Sequence, residues 1–206
     1  MRSYFAKVFS AALILLSPVF ALAQSAADRG ELTVAPAKAP YKPMTFRDRM
    51  DWTVRSTVGT ESLLAGTLSA GFGTALDRPK EYGPHWEGFA ERYGMRLTGV
   101  ATSNVMESTL GAVWGEDPRY FRLGGGSTFG ARMKNVVRTT FVARNRDGGY
   151  QPAYARLIAV PASNFLSNTW RADSEANAHD ALLRTLLGFA GHMTRNAYDE
   201  FRPSKK

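Results

Sequence analysis

ESLLAGTLSAGFGTAL, residues 61–76, is the stretch that decides the fold. Leu64, Leu68 and Phe72 recur every four residues, which places them on one ridge of a helix. Gly66, Ser69, Ala70 and Gly73 form a flat stripe on the opposite side. Glycine costs about 1 kcal/mol per helix position relative to alanine, so this density of small residues implies close packing. The expectation is a helix buried on both faces, with large side chains on one and a neighbouring backbone at close range on the other. Gly99, Ser103, Gly111 and Ala112, and later Gly188 and Gly191, continue the theme. Such stripes bring helices together in membranes and equally in tight soluble bundles. No segment after the N-terminal region reads as a clean apolar span of about 20 residues.

Working outward, the apolar period predicts helices near 46–58, 60–76, 84–114, 128–143, 153–169 and 174–200. Pro84 suits a first helical position and Ser127 a cap. Pro161 should kink or split the fifth helix, because it removes a donor and crowds the preceding turn. No strand-length segment alternates cleanly, and the hairpin turns of a barrel are missing. The fold class is therefore all-α: a compact bundle of five or six Gly/Ala-striped helices over residues 45–206.

The N-terminus sets the compartment. MRSYFAKVFSAALILLSPVFALAQ (1–24) has Arg2 and Lys7 in a basic region, an apolar run from Val8 to Phe20, and Ala21-Leu22-Ala23 as a cleavage site. Residues 1–23 read as a signal peptide, so the expected location is the periplasm or the outer envelope. Residues 24–44 are rich in Ala and Pro without an apolar period and read as a flexible leader. The chain has no cysteine, which excludes disulfides, thiolate chemistry and a thioether lipid anchor. The formal net charge is +8, of which Arg2 and Lys7 leave with the signal. The remaining surplus favours an anionic lipid or another envelope polyanion as partner. Nucleic acid is not expected, since the basic residues are scattered and the chain is exported.

Motifs that carry chemistry are few. His85, His179 and His192 share no metal-ligand spacing, so no metal is expected. No nucleophile elbow, phosphate loop or dinucleotide fingerprint occurs, and no cofactor is implied. Glu107 stands out as the sole charge between Arg96 and Glu116. Tyr93, Leu97, Val100, Asn104, Glu107 and Gly111 share one helical face, so Asn104 and Glu107 lie a turn apart in an apolar stripe. A buried carboxylate must be paired, hydrogen-bonded or protonated. One reading pairs it with Arg132, Arg138, Arg156 or Arg184. The other makes Glu107 a general acid or base in a cleft.

GAVWGEDPRYFRLGGG (111–126) reads as a corner. Asp117 would cap a short helical turn opened by Pro118. Tyr120 and Phe121 would pin that turn, and Glu116, Arg119 and Arg122 would stay polar. Gly124–Gly126 would then reverse the chain. The functional rival is anion binding by Arg119 and Arg122 with the glycine amides.

The segments VWGEDPRYFR (113–122), RTTFVARNRDGG (138–149) and ASNFLSNTW (162–170) resemble those of a family of exported bacterial proteins of unknown function. The resemblance covers most of the chain from about Trp52 to Phe201. It implies a shared fold and an envelope location, and it carries over no catalytic residue. Two functional expectations follow. The first is a non-catalytic envelope protein that associates with a membrane, with itself through helix–helix contacts, or with an anionic component, with Asn104, Glu107, Arg119 and Arg122 as binding residues. The alternative is a small envelope hydrolase using Glu107.

Overall fold

A computed structural model describes residues 41–124 and 126–202. Residues 1–40, on which the expected signal peptide and most of the expected leader fall, lie outside the described residues. Among the described residues six α-helices form the body: α1 (Phe46–Val58), α2 (Thr60–Ala75), α3 (Trp86–Trp114), α4 (Phe129–Phe141), α5 (Tyr154–Leu166) and α6 (Ala178–Phe201). A small antiparallel hairpin, β1 (Val142–Arg144) and β2 (Tyr150–Pro152), joins α4 to α5. The all-α expectation therefore stands.

Local chemistry sets the boundaries. Thr45 and Asp48 form a reciprocal capping box at the start of α1. Thr128 rather than Ser127 caps α4, and Asn177 caps α6. Helix α3 starts at Trp86, two residues after Pro84. It ends at Gly115, whose φ of 73° is the left-handed conformation that glycine adopts without strain. The fifth helix runs unbroken through Pro161. Beyond it, Ser163 Oγ and Asn164 Nδ2 both donate to the Val160 carbonyl. The helix read over 128–143 stops short: its last residues become β1, and the turn at Asn145–Gly149 is closed by Gly148 at φ 81°.

The long α3 is the axis. Helices α1 and α2 pack along one side of it and α5 along another; α5 also packs on α6, and α6 on α4. The contacts are made by small residues. The buried hydrophobic side chains are Ala70, Val136, Ala143, Ala153, Ala155, Ala159, Val160 and Ala181. A methyl added at Gly188 would lie 2.9 Å from Val160 Cγ1, and one added at Gly111 3.2 Å from the Glu116 carbonyl oxygen.

Gly66, Ala70 and Gly73 of the small α2 stripe turn inward as expected, whereas Ser69 is exposed; the stripe meets side chains and, at Gly73, the Arg78 carbonyl oxygen at 3.2 Å as well. A Cβ at Gly66 would lie 2.9 Å from the Tyr93 ring and 3.0 Å from Arg96 Nη1, and one at Gly73 2.9 Å from Arg92 Cδ. Gly66→Leu and Gly73→Leu are expected to destabilise by about 1–3 kcal/mol through overpacking. Gly71→Leu, with nothing within 4 Å, serves as the matched control in thermal melts and should change little.

The other face of α2 corrects the sequence reading. Leu64, Leu68, Phe72 and Leu76 are 60, 66, 70 and 68 % exposed. Among the described residues nothing covers this ridge.

Candidate functional site

What fills the interior is polar. Arg49, Arg92, Asn104, Glu107, Glu116, Asp117, Asn135, Arg156, Asn196 and Glu200 are all buried. Among the described residues no Leu, Ile, Met, Phe, Tyr or Trp is. Globular interiors show the opposite ranking.

The arginines explain how such an interior holds. The last turn of a helix leaves carbonyls without partners, and its dipole favours a cation there. Arg49 donates to the Ser108, Gly111 and Glu116 carbonyls at the end of α3. Arg156 donates to Thr139 and Thr140 at the end of α4, at 2.7 and 3.0 Å. Arg184 reaches Asn164 at the end of α5 and the Glu175 carbonyl beyond it. Arg122 and Arg132 both donate to the Glu200 carbonyl at the end of α6. Arg92 ties the turn after α2 through the Arg78, Pro79 and Gly83 carbonyls. Much of the basic surplus is thus engaged by backbone inside the fold.

Glu107 belongs to this network. Its Oε1 accepts from Arg156 Nε at 2.8 Å, and the side chain is 2 % exposed. Arg156 was one of the four partners the sequence offered. Burial pushes the Glu107 carboxyl up, against the opposing pull of Arg156. His192 Nε2 lies 3.9 Å from Glu107 Oε2. Burial, with Arg156 and Arg195 nearby, pushes His192 down to about 3, so this contact is no ion pair at neutral pH. Asn104, a turn away, donates to Thr57 Oγ1 at 3.0 Å and joins α3 to α1 instead of joining Glu107.

The unfolded chain takes up a proton on His192 near pH 6.5, whereas the folded one does not until about 3. The unfolded state therefore binds more protons in that window, and His192 lowers stability as pH falls through it. The raised Glu107 carboxyl acts in the opposite sense. Urea melts between pH 7.5 and about pH 5 should show a His192→Gln chain losing less stability than the wild type.

The 111–126 corner differs from its reading in two respects. No helical turn starts at Asp117, because the residue pairs as a β-bridge with Arg144. Its buried carboxylate accepts from Tyr41 Oη and from Arg119 Nε and Nη2. Partial burial, and then that neighbouring carboxylate, push the Tyr41 hydroxyl up to about 12. Tyr41, at the end of the expected leader, is therefore tied to the body. Glu116 is buried rather than solvated, and its Oε2 accepts the Ala155 N–H at the start of α5. Tyr120 donates to Glu200 Oε2 at 2.6 Å, while Arg132 Nε and the Leu123 N–H complete that carboxylate. Arg119 and Arg122 are thus committed to internal partners, and neither is brought to Glu107.

Two of the surface depressions among the described residues can be set beside this network. One, of about 330 Å³, is lined by residues that include Tyr41, Met44, Arg49, Asp117 and Arg146. The other, of about 410 Å³, lies among Gly71, Pro84, His85, Trp86 and Phe89. Neither is lined by Glu107. Among the described residues no group of three or more His, Asp or Glu could hold a metal ion.

The outer surface is the candidate functional region. Besides the α2 ridge, α1 exposes Phe46, Met50, Val54 and Val58 at four-residue spacing, and α6 exposes Leu182, Leu183, Leu186 and Leu187. No described helix is long and apolar enough to cross a membrane. The chain matches no protein-family model, no curated protein and no solved structure.

Proposed function

We propose that this is an exported, non-catalytic cell-envelope protein that lays its apolar helix faces against a membrane. One observation carries the reading: large apolar side chains lie outside while ion pairs and arginine–carbonyl contacts lie inside. Contiguous apolar patches beyond a few hundred Å² mark interaction surfaces. Charges turned inward and paired with one another or with carbonyls are the arrangement an apolar surrounding favours. The N-terminal signal pattern supports the envelope as the compartment.

Envelope fractionation tests this. The protein should sediment with membranes, resist extraction by high salt, and be released by detergent. Recovery as a monomer in the soluble fraction after gentle lysis would refute it.

A further inference from the structure

We infer that the outer face of α4, with the hairpin that follows it, is a docking site for the phosphate headgroups of an anionic membrane. The inference rests on the membrane reading above and adds where the charged contact is made. Helix α4 turns Asn135, Val136, Thr139 and Thr140 inward. Lys134, Arg138 and Phe141, spaced four and three residues apart, are left exposed on the opposite stripe. The helix runs directly into β1, so Arg144 and Tyr150 of the hairpin stand beside that stripe.

Aromatic rings hold the guanidiniums in place. Arg138 Cζ lies 4.1 Å from the centroid of the Tyr150 ring, and Arg144 Cζ lies 5.0 Å from the same ring. Arg144 is also 4.5 Å from Phe121 and 5.3 Å from Tyr41, and its Nη2 donates to Tyr150 Oη. Two like charges therefore share one ring. Neither Arg138 nor Arg144 has a carboxylate within ion-pair distance among the described residues. Arg49, Arg92, Arg119, Arg132 and Arg156, by contrast, are each engaged by a carbonyl or a carboxylate.

Stacked, pre-positioned guanidiniums suit phosphate oxygens. Their surroundings favour a lipid headgroup over a soluble polyanion. Tyr150, on whose ring both guanidiniums stack, and Phe141, on the same stripe as Arg138, are both 41 % exposed. An amphipathic tyrosine ring next to basic side chains is what the headgroup level of a bilayer accepts.

The test is vesicle co-sedimentation of the protein as isolated from the exporting cell, using phosphatidylcholine vesicles with and without phosphatidylglycerol. The wild type should prefer the phosphatidylglycerol vesicles. A Lys134→Gln/Arg138→Gln chain should lose about fivefold in that affinity per charge, the equivalent of about 1 kcal/mol each, and bind phosphatidylcholine unchanged. Both residues are exposed, so folding is spared; Arg144→Gln should act in the same direction. A double variant that keeps the full preference, or a wild type with none, overturns the site while the membrane reading stands. Wild-type binding to neither vesicle overturns the membrane reading itself. Binding of soluble tripolyphosphate without vesicle binding overturns the lipid as source.

Discussion

Replacing Glu107 with alanine is expected to lower stability by about 3–5 kcal/mol in urea denaturation, because it leaves the Arg156 guanidinium buried without its carboxylate. Arg156 also holds the Thr139, Thr140 and Pro118 carbonyls, so the damage spreads from α3 to the end of α4 and to the 111–126 corner. Glu107→Gln keeps an acceptor oxygen near Arg156 Nε and should lose less. An apolar pair, Glu107→Leu with Arg156→Met, should recover only part of the loss. It removes both charges but leaves the helix-end carbonyls without a donor. Loss of a whole folded domain's stability is commonly about 5–15 kcal/mol, so the single substitution is severe. A Glu107→Ala chain that melts like the wild type but has lost a measurable envelope activity would show that Glu107 is catalytic.

The second large effect is the reverse in character. Leu64→Gln, Leu68→Gln and Phe72→Gln together should leave the melt in solution nearly unchanged, since these side chains are 60–70 % exposed. The same triple variant should move the protein out of the membrane fraction. Covering a Leu or Phe side chain contributes about 1.5–3 kcal/mol, so losing three exceeds the free energy of a weak membrane contact. If membrane sedimentation is unaltered, the α2 ridge is not the contact face.

How much of this is legible in the sequence depends on which partner a residue uses. The helices are legible because their apolar period and caps are local. The Glu107 pair is legible because a lone charge in an apolar stripe requires a partner, and Arg156 was among the candidates. The carbonyl-binding roles of Arg49, Arg92 and Arg184 are not legible, because their acceptors are backbone groups that every residue carries. Asp117 before Pro118 has the local signature of a helix start, yet a long-range bridge to Arg144 and the hydroxyl of Tyr41 win. The Asp147-Gly148-Gly149 turn was a hairpin signal that the helical period of 128–143 masked. Periodicity located the Leu64–Leu68–Phe72 ridge correctly and gave no sign of whether anything inside the chain would cover it.

That covering is the central claim, and the absence of cysteine gives direct access to it. Leu68→Cys, 66 % exposed in the wild type, can carry a single environment-sensitive fluorophore. Emission should report water in dilute buffer and shift to the blue when vesicles containing phosphatidylglycerol are added, as the ridge enters lipid. Emission that stays water-like with vesicles present, or that is already blue in buffer without lipid, would contradict the account.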